Sequence, residues 1–313
     1  MTVCSNVKQS ALLFLCLTVT ILSNAQKPTP AAQRLNGYAQ PMGIQKSSWD
    51  TIPFRNIGPS IMSGRVVDVD VNAADPTEFY VAYASGGLWH TKNNGHSFKP
   101  VFDSADVLTI GDIAVNWKTR AIWVGTGEVN SSRSSYAGMG VYKSVDTGKT
   151  WRYQGLPESH HIGKIQLHPT DENIAWVAVL GHLYSPNTER GVFKTSDGGA
   201  TWKHTLAIDA ATGVVDLDIN VQNPAEVYAA AWQRNRSAWR FDASGKGSAI
   251  YKSMDGGATW KKITGGTSGF PEGAPTGRIG LAVYPKNSQI VYAILDNQKP
   301  NPIRQNAIPS LLC

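Results

Sequence analysis

The sequence predicts an all-β fold, a β-propeller of four-stranded antiparallel blades, from two observations. The first is a ten-residue pattern that returns without gaps: aromatic, x, Ser/Thr, x, Asp, x, Gly, x, Thr, Trp. It runs from Tyr142 to Trp151, from Phe193 to Trp202 and from Tyr251 to Trp260, and in weaker form from Trp89 to Phe98. Its turn residues Asn93, Asp146, Asp197 and Asp255 recur at intervals of 53, 51 and 58, and self-similarity at about 50 residues is the mark of a repeat architecture. The second is composition: 313 residues carry 30 Gly and 10 Trp with only 17% charge, the balance of many short strands joined by tight turns. Aromatics at 9% exclude intrinsic disorder, and no heptad or collagen periodicity is present.

Each repeat justifies its elements in order. A first strand is read at Val66-Val-Asp68-Val-Asp70-Val-Asn72 and again at Val214-Val-Asp216-Leu-Asp218-Ile-Asn220. Ile110-Gly, Ile162-Gly and Ile279-Gly open the same strand in the other repeats. A turn follows, with Pro76, Pro169, Pro224 or Pro285 in four of the five repeats. A second strand ends near Tyr80, Trp123, Trp176, Tyr228 or Tyr292. After a loop, the aromatic and Ser/Thr of the pattern form the third strand. Asp accepts backbone N–H bonds from the turn, and Gly supplies its positive φ. Thr-Trp opens the fourth strand, the ring of Trp151, Trp202 or Trp260 returning to a neighbouring sheet. About four and a half blades are present, an expected incomplete ring, with no helix of useful length.

Residues 1–25 read as a signal peptide: Lys8 precedes an apolar run over 11–22, too short to span a bilayer, and Ser23-Asn24-Ala25 offers small residues for cleavage. Residues 26–48 are rich in Pro, Gln, Ala and Ser and read as a linker, 49–298 as the propeller, and 299–313 as an irregular tail. The chain is therefore expected to be exported, extracellular, periplasmic or on the outer surface, with no transmembrane span after cleavage. Of its Cys4, Cys16 and Cys313, the first two leave with the signal, so no internal disulfide is expected. A net charge of +6 without basic runs gives no case for nucleic acid.

Topology places function. In a four-stranded meander the Pro-turns and Asp-turns share one edge. The loops between strands two and three, and those between blades, share the other. The spans from Tyr80, Trp123, Trp176 and Tyr228 to the next Asp or Asn of the pattern are 13, 23, 21 and 27 residues, so blades two to four carry long loops there. The ligand-face candidates are Glu128, Asn130 and Arg133 of blade two, Tyr184 and Arg190 of blade three, Arg234, Arg236 and Trp239 of blade four, and Arg278 beyond it.

The Asp-turns resemble the Asp-box of BNR-repeat proteins, a group that includes sialidases, xyloglucan-hydrolysing endoglucanases, photosystem assembly factors and the sortilin amino-terminal propeller. Phe54-Arg-Asn-Ile-Gly-Pro59, Ser63-Gly-Arg-Val66, Ala84-Ser-Gly-Gly-Leu-Trp89 and Val124-Gly-Thr-Gly-Glu128 are similar to secreted bacterial propellers labelled sortilin-like or glycosyl hydrolase with BNR repeats. The resemblance implies a structural role for Asn93, Asp146, Asp197, Asp255, Trp151, Trp202 and Trp260. Members are longer chains, so a truncation or frameshift near residue 298 is expected. The first functional reading is an exported module that binds a protein, peptide or glycan through its long-loop face. The alternative is a glycoside hydrolase of sialidase or xyloglucanase type. It is disfavoured because Ala84 stands where the resemblance implies a carboxylate, and because Glu128 with Glu189 or Asp242 is only a weak acid–base pair.

No cofactor and no metal is expected. Asp216-x-Asp218-x-Asn220 lacks the glycine of a calcium loop, Val221 standing in its place, and alternates as a strand. His160 and His161 point to opposite sides of an extended chain. No phosphate-binding loop, dinucleotide fingerprint, zinc spacing or nucleophile elbow occurs.

Overall fold

A computed structural model describes residues 29–39 and 64–298, apart from 133–134 and 272–274. The segment 1–25 read as a signal, the tail after 298, Phe54–Pro59, Ser63 and Arg133 lie outside the described residues. The chain divides into two compact units, Met1–Gln40 and Pro41–Cys313. In the first, a nine-residue helix, α1 (Ala31–Ala39), stands within the stretch read as linker; Pro30 lends its carbonyl to the amides of Gln33 and Arg34.

The second unit is all-β, as the repeat predicts. Blade one is β1 (Val66–Val71), β2 (Phe79–Tyr83), β3 (Gly87–Thr91) and β4 (Lys99–Pro100), antiparallel and in that spatial order. Blade two is β5 (Ile110–Asn116), β6 (Ala121–Thr126), β7 (Val141–Ser144) and β8 (Arg152–Tyr153). Blade three is β9 (Ile162–Leu167), β10 (Ala175–Val179), β11 (Gly191–Thr195) and β12 (Lys203–Leu206). Blade four joins β13 (Thr212–Ile219), β14 (Val227–Gln233), β17 (Ala249–Ser253) and β18 (Lys261–Lys262), and its long loop folds as a hairpin, β15 (Asn235–Arg236) with β16 (Phe241–Asp242). β19 (Thr276–Val283) and β20 (Val291–Asn297) form a two-stranded sheet, the half of a fifth blade among the described residues.

The first strands β1, β5, β9, β13 and β19 stand side by side. Every one of them carries a bulge near its start, the register against the second strand shifting by one or more residues. In β5 and β9 glycine at that place is required by close backbone approach. A Cβ on Gly111 would lie 2.0 Å from the Ile162 carbonyl, and one on Gly163 2.4 Å from that of Val215. Beyond the bulge, carboxylates reach the backbone of the next blade. Asp68 and Asp70 accept the amides of Ile113 (3.3 Å) and Val115 (2.7 Å), and Asp112 accepts that of Ile165 (2.7 Å). Asp216 and Asp218 accept those of Leu281 (2.8 Å) and Val283 (2.7 Å). The alternating Asp-x-Asp is thus a strand, and its acidic side chains stitch blade to blade. β9 carries Lys164 and Gln166 instead, and among the described residues it offers no such acceptor to β13.

Each core lies between two blades. Leu88, Phe102, Ile110 and Val124 fill the first, Trp123, Val141, Ile165 and Phe193 the second, Trp176, Val192, Leu217 and Val227 the third, and Leu180, Val215, Trp232 and Ile279 the fourth. The Asp-turns explain every position of their pattern. Asp146 accepts the Thr150 amide at 2.9 Å and its hydroxyl at 2.7 Å, while the Ser144 hydroxyl donates to Asp146 and accepts the Gly148 amide. Asp197 and Asp255 repeat this set, and Asn93 keeps its amide version with Ser97. The turn tryptophans donate to the preceding blade, Trp151 to the Val101 carbonyl and Trp202 to that of Gln154, both at 2.6 Å.

At the Pro-turns a buried glutamate recurs. Glu78 accepts Asn72 and Arg120 and faces His90, and Glu226 accepts Asn220 and Tyr228. Burial alone would raise Glu78, but the bonds from Arg120, Asn72 and His90 prevail and hold it at about 2. Thr150 holds Asp146, and Thr201 holds Asp197, at about 2 as well. All three lie below their unfolded values of about 3.9 to 4.3, so their stabilisation is complete above that range and fades as pH falls towards 2. The urea midpoint of the chain is expected to drop between about pH 4.5 and 2, and Glu78→Gln to flatten part of that slope. A midpoint independent of pH in this window would contradict the assignment.

Candidate functional site

The long loops of blades two and four meet. Arg234, at the end of β14, is 3% exposed and donates from Nη1 to the Ser131 hydroxyl. Arg236 donates to the Ser131 carbonyl at 3.0 Å, and Arg278 of β19 to Asn130 Oδ1 at 3.1 Å. The guanidiniums of Arg234 and Arg278 lie 5.3 and 5.9 Å from the Trp232 ring, and that of Arg236 lies 5.0 Å from Phe241. Asn130, Arg234, Arg236 and Arg278, drawn from three parts of the sequence, are therefore one constellation.

Its electrostatics are unusual. Burial, with Arg190 and Arg278 nearby, pushes Arg234 down to about 9. Arg234 Nε and Nη2 are buried without a protein acceptor. Buried donors of this kind are rare and costly. Burial, then the charge of Arg234, likewise pushes His161 well down, so its imidazole is neutral and faces the Glu128 carbonyl at 2.8 Å.

The remaining candidates fall into two kinds. Glu128 and Arg190 are buried. Glu128 is ion-paired with Arg65, a partner outside the loops considered from sequence. Arg190 donates to the carbonyls of Leu180 (2.6 Å), His182 (2.5 Å) and Ser185 (2.9 Å), the work of a loop former. Burial lowers its guanidinium to about 10. Tyr184 and Trp239 are the opposite case, 54% and 86% exposed on the loops of blades three and four. Glu189 accepts the Glu158 amide and Asp242 pairs with Arg240, so neither is bonded to Glu128. Ala84 follows β2 directly and is buried, and its amide donates to the Arg65 carbonyl. A cavity of about 280 Å³ lined by Trp123, Lys143, His168 and Glu172 lies on the opposite, turn-bearing edge. Ser131 and Arg65 were not legible as partners, since each acts through a fold contact rather than a spacing.

No family model matches the chain. A xyloglucanase of Hypocrea jecorina is 29% identical over 200 residues, covering 61% of this chain and 20% of that protein. A probable oligoxyloglucan-reducing end-specific xyloglucanase of Neosartorya fischeri is 27% identical over 148 residues, 46% of this chain and 17% of that one. A xyloglucanase of Paenibacillus sp is 21% identical over 251 residues, 69% and 23% respectively. The chain thus spans about a fifth of the curated relatives it matches. Among solved structures, an ancestral GH74 enzyme superimposes with a TM-score of 0.54 at 17% identity, covering 75% of this chain and 30% of that one. The GH74 enzyme of Niastella koreensis gives 0.53 at 18%, covering 73% and 35%. These structural likenesses are likenesses of fold. Among the described residues no helix is long and apolar enough to cross a membrane.

Proposed function

We propose that the chain is a propeller portion of an exported glycan-degrading protein of the xyloglucanase type, with the long-loop face as the surface that holds the polysaccharide. The match to three xyloglucanases carries this reading and favours the hydrolase alternative over a module that only binds. The site supports it. Trp239 and Tyr184 offer exposed aromatic faces for sugar rings, and Arg278, exposed on β19, offers donors for hydroxyl oxygens. Ala84 brings no carboxylate to the place where the resemblance implies one, so we assign these residues to substrate holding and none of them to bond cleavage. The turn geometry of Asp146, Asp197 and Asp255 supports their identity as BNR-type Asp-boxes, and the apolar run over residues 11–22 supports export by a signal peptide.

The test is affinity electrophoresis of the full chain in gels containing xyloglucan, mixed-linkage glucan or soluble cellulose, beside an assay of reducing-end release. Retardation by xyloglucan is expected, with Trp239→Ala weakening it about tenfold and Tyr184→Ala somewhat less. Absence of both retardation and release on every glucan would overturn the reading.

A further inference from the structure

A second cluster on the loop side belongs to neither the arginine constellation nor the exposed aromatics. The connection between blades two and three contributes Glu158 and His160, and the loop between β10 and β11 contributes His182. His182 Nε2 lies 2.9 Å and His160 Nε2 3.6 Å from Glu158 Oε2. The two imidazoles stack with centroids 3.8 Å apart and planes 28° apart. One ligand atom from each of the three residues lies within 4.8 Å of the other two. We propose that Glu158, His160 and His182 form a binding site for a divalent transition-metal ion of the zinc class.

The donor set is the first reason. Two imidazole nitrogens and one carboxylate oxygen suit zinc and its late first-row neighbours, and leave further positions for water. Hard cations such as magnesium prefer oxygen alone. Access is compatible, because the side chains of Glu158, His160 and His182 are 29%, 12% and 7% exposed, so an ion enters past the carboxylate.

The second reason is that the surroundings are built to hold these groups. His182 Nδ1 lies 2.9 Å from the Ser185 hydroxyl, which fixes the ring with Nε2 towards Glu158. The Asn187 side chain ties the two backbones together. Its Oδ1 accepts the His182 amide at 2.9 Å, and its Nδ2 donates to the Glu158 carbonyl at 2.9 Å. Glu189 accepts the Glu158 amide at 2.8 Å, and Arg190 donates to the His182 and Ser185 carbonyls. His160 has φ of +51°, a conformation that side chains rarely adopt. Its carbonyl accepts the Gly138 amide at 2.6 Å, and a Cβ on Gly127 would lie 1.7 Å from that oxygen. Blade two thus keeps His160 in a strained pose that sets its ring against His182. His161 turns away to the Glu128 carbonyl, its ring 6.4 Å from that of His160. The adjacent pair does not chelate together, as its spacing implied, and the second imidazole comes from a loop 22 positions further on.

The experiment uses the full chain with its three cysteines alkylated and its metals stripped by chelator. Equilibrium dialysis against zinc alone is expected to show one ion per chain, and cobalt in its place to give visible d–d absorption. Glu158→Gln and His182→Gln should each weaken zinc at least about tenfold, while both keep the wild-type melt in chelator. Zinc should also raise the Tm of the unsubstituted protein, and magnesium should not. Failure of the wild type to bind zinc, or undiminished binding in the triple variant Glu158→Gln, His160→Gln, His182→Gln, would overturn the proposal. Should a variant melt early, the wild-type stoichiometry and zinc-dependent Tm decide alone, and no Tm rise counts against the site. None of these readouts involves a glycan, so the outcome is independent of the preceding assignment.

Discussion

Asp112→Ala should destabilise the folded chain by about 1–3 kcal/mol, because it removes a buried carboxylate that accepts from a half-buried ammonium and from a buried amide. Asp112 is 3% exposed, lies 2.9 Å from Lys164 Nζ and accepts the Ile165 amide. Burial would lower Lys164, but Asp112 and then Asp68 prevail and hold its ammonium above the ordinary value. Without Asp112 that ammonium keeps the more distant Asp68, at 3.9 Å, and the attraction of Asp216, and the Ile165 amide loses its acceptor. Urea unfolding of the full chain measures the loss. The apolar double replacement Asp112→Leu with Lys164→Met should recover the part due to the stranded ammonium, while the Ile165 amide still lacks its acceptor. A loss below about 1 kcal/mol for Asp112→Ala, by the same measurement, would show that Asp112 does not hold these two donors.

Trp176→Ala should be more severe, at about 3–5 kcal/mol, and its interest lies in the blade next door. The indole is 1% exposed in the core between blades three and four and donates to the Gly256 carbonyl at 2.9 Å. It also lies where a Cβ on Gly257 would come 2.7 Å from its Nε1. Gly257 has φ of +80°, so Gly257→Ala meets both backbone strain and a clash with Trp176. The double variant is expected to be less unstable than the sum of the single variants, because removing the indole makes room for the new methyl. Strict additivity in the unfolding free energies would refute the contact. Trp123 and Gly199 repeat the arrangement one blade earlier, at 3.0 Å.

These two sites show what the sequence made legible. Strand order, the half blade and the Asp-turns follow from local chemistry: a carboxylate, a glycine and a tryptophan act within ten residues of one another, so spacing reveals them. The joints between blades were less legible. Asp216-x-Asp218 reads as a strand, yet its bond to Leu281 spans 65 residues and has no local signal. At the candidate site, loop length and polarity located Asn130, Arg234, Arg236 and Arg278, whereas their partners separated them from Glu128, which pairs with Arg65, and from Arg190, which bonds the carbonyls of its own loop. His160 was weighed against its neighbour His161, because adjacency is visible and a stacked partner from another loop is not.

The carboxylate stitches also govern how the propeller comes apart. Blade one is bonded to two, two to three and four to five through first-strand carboxylates, while three and four meet at that position through packing and the attraction of Lys164 for Asp216, with no carboxylate-to-amide bond among the described residues. In a linear array, stability is a sum of unit and joint terms, and fluctuations open the weakest joint first. The joint between β9 and β13 is therefore the natural seam of cooperativity. Opening there divides the described blades into an amino-terminal trio and a carboxy-terminal remainder.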